Sequence, residues 1–407
     1  MTSNTKHFEE KPPTAVLKHG VLKYLHPFVA MTSTSSDGNR VWFIDAYAGA
    51  GKFDDGSPGS PLIALGVANG AARFPSPRDT RCVFIERKKA YYEQLCGLAE
   101  EASTAAPPIL LYGDSAVRLA EAVALAGDDP LLTFLDPFGA ALPRDIIIKQ
   151  LMSRRGINEI LLNFHINTVA RIGAATAVGD ALTPEQKKTA ILLDTFLGYE
   201  GWRETFREHY RKGDERSATA AALVVSEEYR QRILRETGYR SFVVDIREAP
   251  HHVPKFQLTL FLRGDTPAEY KFADAASHAN VDWRKRLNED AARADAEKYS
   301  GTLEGLGQEF SREQFDQRWK ESERMLANDW VGVLKSNLRA LTAHGHPVKV
   351  SSNVRGIYGE LLGLAGETHF RRAWKELAAD GVLESPPAKL HYAVVRRITG
   401  GATTAVR

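Results

Sequence analysis

Cysteine is almost missing from this chain of 407 residues: only Cys82 and Cys96 occur, too few for a disulfide scaffold or a four-thiolate zinc site. Long apolar runs are missing too. The longest, such as Ile146-Ile147-Ile148 and Leu131-Leu132, fall far short of the roughly 20 residues that cross a bilayer, so no membrane partner is expected. Met1 to Lys11 is polar, carries Glu9 and Glu10 and has no apolar core of a signal peptide; with the scarcity of thiols, this predicts a cytoplasmic protein. The twelve histidines stand at no metal-ligand spacing, so no metal site is expected. No G-x-x-x-x-G-K-[ST] occurs, which argues against a phosphate-loop nucleotidase. Nor does one sign of charge dominate: 53 basic residues face 51 acidic ones.

That near-balance is uneven along the chain. From Val331 to Arg407 eleven basic residues face five acidic ones, leaving a slightly acidic body with a basic tail. Such a tail hints at an anionic partner, or is ordinary scatter of surface charge. With 43% hydrophobic and 26% charged residues the composition is that of a soluble globular chain, and the length fits two or three folding units.

A rhythm begins after an N-terminal helix predicted over Thr14 to Ala30. Short apolar runs at Val41 to Ile44, Cys82 to Ile85, Ile109 to Tyr112, Leu131 to Leu135 and Glu159 to Phe164 alternate with helical stretches. Strands that are apolar throughout, separated by helices, imply a parallel sheet covered on both faces. Ser60-Pro61 opens the first of these helices, with the serine expected as its cap. A helix-rich insert follows over about 166–239. Two β-rich runs, Ser241 to Ile246 and Phe256 to Leu262, then read as an antiparallel hairpin. Five parallel strands closed by such a hairpin differ from the ordinary dinucleotide-binding dehydrogenases.

Each predicted strand ends in a polar residue: Asp45, Glu86, Asp114, Asp136 and Asn163. Ligands of open α/β sheets bind beyond the carboxyl ends of the strands, so these residues are candidates for one site; solvated loop starts are the plainer alternative. Asp45-Ala46-Tyr-Ala48-Gly49-Ala-Gly51 makes a tight turn whose glycines let backbone approach a ligand. It lacks the full G-x-G-x-x-G and suits the methionine and ribose of S-adenosyl-L-methionine, with Asp45 acting by charge near the ammonium or sulfonium. Glu86 can accept from both ribose hydroxyls. Asp114 is placed to take the adenine amino group, with Gly113 allowing close approach.

Asp136-Pro137-Phe138-Gly139 falls where the fourth strand would face the reacting group. Methyltransferases acting on adenine or cytosine amines place Asp/Asn-Pro-Pro-aromatic there, so that polar groups accept from the amine and the ring stacks on an unstacked base. Here Phe138 holds the second proline's place and Gly139 the aromatic's. A catalytic role is therefore expected for Asp136, Pro137 and Phe138, against the alternative of a strand-ending turn with a core phenylalanine. His165 follows the fifth strand within reach of the site.

In the tail, helices are predicted around Arg312 to Leu326, Trp330 to Ala343 and Glu367 to Asp380, with a short one between the last two. Val382-Leu383 and Tyr392 to Ile398 then flank Ser385-Pro-Pro-Ala-Lys389. That order is the order of a winged helix-turn-helix. Phe370, Trp374 and Leu377 form one helix face, leaving Arg371, Arg372 and Lys375 to contact nucleic acid, DNA or RNA, unless they form a solvated charged face.

The stretch from Lys18-His-Gly-Val-Leu-Lys-Tyr-Leu25, through Ile44-Asp-Ala-Tyr-Ala-Gly-Ala-Gly51 and Gly59-Ser-Pro-Leu62, to Leu135-Asp-Pro-Phe-Gly139 resembles the three-Cys-motif partner protein family (TcmP). The resemblance covers roughly residues 14–265, and the tail is similar to the winged helix often fused to that family. It implies a Rossmann-like class I methyltransferase fold and a cysteine-motif partner protein. The expected organisation is a methyltransferase-like domain over 1–283, a linker helix over 284–309 and a winged helix-turn-helix domain over 310–407. The expected function is S-adenosyl-L-methionine-dependent methyl transfer to nucleic acid or a nucleic-acid-derived group; the alternative is a non-catalytic partner that binds the cofactor or a nucleotide and presents its winged helix to DNA or a protein.

Overall fold

In the computed structural model the described residues are 12–102, 104, 106–137, 142–179, 182–264, 267–299 and 310–398. The chain divides into two units between Arg263 and Gly264.

The first unit is built on a seven-stranded sheet. Its strands are β1 (Arg40–Asp45), β2 (Asp79–Glu86), β3 (Ile109–Tyr112), β4 (Leu131–Leu135), β5 (Asn158–Phe164), β6 (Arg240–Ile246) and β7 (Phe256–Leu262). They lie in the order β3-β2-β1-β4-β5-β7-β6. The first five run parallel, and β7 pairs antiparallel with both β5 and β6. The predicted hairpin is therefore present, with its second strand inside the sheet and its first at the edge. β1, β4 and β5 are buried along nearly their whole length, as strands covered by helices on both faces must be.

Around the sheet pack α1 (Pro13–Leu22), α2 (Leu25–Thr32), α3 (Ser60–Ala71), α4 (Lys89–Glu101), α5 (Ser115–Ala126) and α6 (Arg144–Ile146, continued by π-helical turns over Ile147–Met152). The helical insert follows as α7 (Ile166–Ala177), α8 (Pro184–Leu197), α9 (Trp202–His209) and α10 (Glu215–Thr237). The single N-terminal helix expected over Thr14 to Ala30 is two. Pro27 lacks an N–H and would break a continuous helix; restarting at Leu25 puts it in a first turn, where no N–H is needed. Ser60 is also not the cap of α3: Gly59 holds that position and Ser60 is the first helical residue.

Chain order reverses about β1 and β4, which are neighbours in the sheet while β2 and β3 lie to one side and β5 to the other. The crevice beyond their carboxyl ends is the switch point where such sheets take ligands. Fully buried phenylalanines at 43, 84 and 134 fill the sheet's centre, each side chain stabilising the fold by about 2–3 kcal/mol.

The second unit contains α11 (Ala268–Tyr299), α12 (Arg312–Leu341), β8 (Val348–Lys349), α13 (Val354–Tyr358), α14 (Glu367–Ala379) and β9 (Val394–Val395). The boundary expected at 283/284 falls inside α11. The first turns of that helix carry buried Tyr270 and Phe272, and Tyr270 packs against Tyr358 and Phe370 of the same unit, so the helix cannot be cut there. The two helices expected over 312–343 are one, since Asn328 and Asp329 interrupt it with neither proline nor glycine. β8 pairs antiparallel with β9, and Leu383 bridges to Arg397, so the segment after α14 returns as a short hairpin. No described helix is long and apolar enough to cross a membrane.

Candidate functional site

Asp45 closes β1 on the face covered by α1 and α3. Its register partners are Phe84 on β2 and Phe134 on β4, and residues in register share a face, so the carboxylate stands between two fully buried rings. Asp45 is itself 0% exposed. Its Oδ1 accepts from the Tyr47 N–H at 3.0 Å, while Oδ2 has no partner at hydrogen-bond geometry among the described residues. Burial pushes the Asp45 carboxyl up to about 7; the nearby Ser60 hydroxyl and the Tyr47 N–H oppose that shift, and Asp136 and Glu86 add to it by repulsion. An acid in this state is poised to receive a cation.

Glu86 ties three loops together. Its carboxylate accepts from the Gly49 N–H at 2.8 Å and the Lys88 N–H at 2.6 Å, and its backbone carbonyl accepts from the Gly113 N–H at 3.0 Å. Each carboxylate oxygen has a second lone pair, so both remain able to accept from a ligand hydroxyl. The turn after β1 is held from the sheet side: Ala46 donates to the Phe134 carbonyl and Ala48 to the Ile85 carbonyl, both at 3.0 Å, and Ser115 donates to the Ala46 carbonyl. Gly49 and Gly51 have φ of 64° and 85°, and Gly113 has 141°, conformations that side-chain-bearing residues rarely adopt. A Cβ on Gly51 would stand 2.9 Å from Leu98 Cδ1.

Asp114 caps α5, its Oδ1 accepting from the Ala116 N–H at 2.9 Å, while its Oδ2 lies 3.5 Å from Arg87 Nη1 and the side chain is about half exposed. Capping thus occupies one oxygen and leaves the other at the rim. Tyr47 links this end of the site to the other, since its ring hydroxyl lies within electrostatic reach of both Asp114 and Asp136 and burial raises its pKa.

Asp136 follows β4 directly. Its Oδ1 accepts from Asn163 Nδ2 at 2.7 Å, and its Oδ2 pairs with the Lys18 ammonium of α1. His165 lies beside this pair, its ring edge-on to Phe256 at 4.7 Å. Burial pushes the His165 imidazole down to about 4, Asp136 and the Pro137 backbone opposing the shift and Lys18 adding to it. The structure therefore brings Asp45, Ala46, Ala48, Gly49, Gly51, Glu86, Gly113, Asp114, Asp136 and Pro137 to one rim. Phe138 lies outside the described residues.

Lys18 completes the site without having been singled out in the sequence, and Asn163, a candidate only as a strand-end residue, proves to be the partner of Asp136. The signal for Lys18 was a lysine among the apolar residues Leu17, Val21 and Leu22 of a predicted helix; the signal for Asn163 was only its place at a strand end. Among the described residues no cluster of histidine, cysteine and acids is arranged to hold a metal.

The three basic residues predicted on α14 have different surroundings. Arg371 donates to the Pro387 and Ala388 carbonyls at 3.0 and 2.8 Å and to Glu367 at 2.9 Å, bracing the segment before β9. Arg372 pairs with Glu376 one turn on. Lys375 is exposed.

No family model and no curated protein matches the chain. Among solved structures it is similar to a putative caffeoyl-CoA O-methyltransferase from Staphylococcus aureus, at 10% identity over 61% of this chain and 83% of that one, with a TM-score of 0.34. It is also similar to the O-methyltransferase TomG from Streptomyces achromogenes in complex with S-adenosyl-L-methionine, at 13% identity over 61% and 80% of the two chains, TM-score 0.32. A third is Trm1 from Pyrococcus horikoshii, also in complex with S-adenosyl-L-methionine, at 10% identity over 65% and 58%, TM-score 0.32.

Proposed function

We propose that the first unit is a class I methyltransferase that binds S-adenosyl-L-methionine across the ends of β1, β2 and β3 and passes its methyl group to an acceptor at Asp136. The observation that carries this reading is the buried Oδ2 of Asp45, without a partner at hydrogen-bond geometry among the described residues, set between two phenylalanines with Asp136 and Glu86 close enough to repel it. Such a carboxylate is costly unless a cation meets it, and the cofactor brings an ammonium and a sulfonium together with two ribose hydroxyls and an adenine amine. Asp45 would face the cationic end, Glu86 the ribose hydroxyls, and Asp114 the adenine. The turn over Ala46, Ala48, Gly49 and Gly51 would supply backbone approach. Sheet order and the internal antiparallel β7 also support the class I assignment.

The chemistry asked of the protein is mainly orientation: the acceptor's lone pair must line up with the methyl–sulfur bond, and neutralising the sulfonium drives the transfer. Nucleic acid, or a group derived from it, is the acceptor this reading favours, with Pro137 beside it and the second unit as a winged helix that contacts DNA or RNA through Lys375. The resemblance to three-Cys-motif partner proteins supports a protein partner of that kind, and the scarcity of cysteine supports a reducing, cytoplasmic setting. A second reading, a non-catalytic cofactor-binding partner, is favoured by one feature: both oxygens of Asp136 are already engaged, by Asn163 and Lys18. Calorimetric titration of the full chain with S-adenosyl-L-methionine tests the common ground. Saturable binding that Glu86→Ala weakens is expected; a folded protein that takes up none refutes both readings.

A further inference from the structure

Alternation along β5 puts Glu159, Leu161 and Asn163 on the face covered by α1, with His165 next in the same series. Glu159 is satisfied there by the Tyr24 hydroxyl at 2.7 Å. The other two polar residues are not. Asn163 is 1% exposed, and because its Nδ2 is spent on Asp136 its Oδ1 is left buried without a hydrogen-bond partner. His165 is alike: Nε2 is buried and unpartnered. The imidazole meets the backbone of Pro137, and proline has no N–H, so the group it meets is the carbonyl. With Nε2 unpartnered, the nitrogen facing that carbonyl is Nδ1, which carries the hydrogen, and Nε2 carries the lone pair. Beside Asp136 the protein thus buries two acceptors that no donor among the described residues meets, one an amide oxygen and one an imidazole nitrogen.

We infer that this pair holds a primary amino group, with one N–H on Asn163 Oδ1 and the other on His165 Nε2. The inference rests on the methyltransferase reading and narrows it to a substrate class, amino-bearing bases rather than hydroxyls. A hydroxyl has one hydrogen and would leave one acceptor buried and bare; an –NH₂ group satisfies both and keeps its lone pair for the methyl carbon. Asp136 then acts at one remove, holding the Asn163 amide so that its oxygen faces the acceptor, while Lys18 balances the Asp136 charge. In the step itself the amine nitrogen bonds to the methyl carbon, and the carbon–sulfur bond breaks with its electron pair going to sulfur. The product is a methylammonium, which loses one N–H proton to His165 Nε2 and from there to solvent.

The test uses the full chain, methyl-labelled S-adenosyl-L-methionine, and single-stranded DNA and RNA oligomers containing all four bases, digested to nucleosides after reaction. Label on an exocyclic nitrogen of adenine, cytosine or guanine is expected. Asn163→Ala and His165→Ala should each cut that transfer by about tenfold to a hundredfold, the scale of one lost buried hydrogen bond, with cofactor affinity by calorimetry unchanged. Should Asn163→Ala fail to fold, Asn163→Ser, which keeps a smaller polar group, is read in its place. Label on a ribose oxygen or a ring carbon overturns the inference and leaves the methyltransferase reading standing. So does cofactor binding without any labelled nucleoside, or full transfer by both variants. Failure of the wild type to bind the cofactor overturns both together.

Discussion

Replacing Asp45 with asparagine removes a charge and almost nothing else, so its consequence can be worked out. Burial raises this carboxyl from 3.8 to about 7 in the folded protein. Between those values the native state keeps a proton that the unfolded chain has released, so the unliganded fold loses stability as pH rises through the window. Each pKa unit corresponds to 1.36 kcal/mol, and a rise of about three units to a loss of about 4 kcal/mol by pH 8. The amide that replaces the carboxyl cannot ionise. The variant should match the wild type near pH 4 and exceed it by up to about 4 kcal/mol at pH 8, read as the difference between urea denaturation curves at each pH. Taking the difference matters because Glu159, also raised to about 7 by burial, adds a parallel slope to both proteins. Cofactor binding reads the same proton from the other side. A cation against Asp45 returns its pKa toward the ordinary range, so binding at pH 6.5 should release about 0.8 proton, visible in calorimetry as a dependence of the binding heat on buffer ionisation enthalpy. Asp45→Asn should release none. A stability difference that does not change with pH, or equal proton release from both proteins, would refute the assignment of Asp45 as the buried titrating acid.

Three further outcomes are expected. Glu86→Gln leaves one oxygen where two accept from Gly49 and Lys88, and should weaken cofactor affinity about tenfold while lowering stability by about 1–2 kcal/mol, measured by titration and thermal melting. Gly59→Ala puts a methyl 2.8 Å from the Gly51 carbonyl oxygen and should cost about 1–3 kcal/mol in denaturant unfolding, with the cofactor turn distorted; an unchanged midpoint would show that the loop gives way freely. For the second unit, Lys375→Ala should reduce by about one the slope of log affinity for duplex DNA against log salt; an unchanged slope removes Lys375 from the phosphate contacts.

Much of the first unit is readable from residue order because each strand is apolar throughout and each ends where polarity returns. The runs at 41–44, 82–85 and 131–135 could be nothing but buried strands, and the acids that end them mark the rim. What could not be read are relations across the sheet. Nothing in the run Val41 to Asp45 says that Asp45 will stand between Phe84 and Phe134, because that neighbourhood comes from register between strands far apart in the chain. Lys18 is a similar case: its meaning depends on where α1 sets it, beyond the end of β4 against Asp136, while Tyr24, past the end of that helix, meets Glu159 on β5. On α14, side-chain spacing suggested that Arg371 faces a partner, yet the carbonyls of Pro387 and Ala388 claim it, and only folding the return hairpin reveals them.

The position of β7 has a consequence for how this unit is made. β6 precedes β7 in the chain but pairs only with it, and β5 has no partner on that side until the same strand arrives. During synthesis, a nascent chain that has passed Ile246 but not yet reached Leu262 therefore carries two strands with bare edges, and the last strand of this unit to leave the ribosome is the one that covers both. Cutting the gene anywhere upstream of Phe256, however generous the fragment, removes that closing strand, so a well-folded fragment of this unit must extend at least through Leu262.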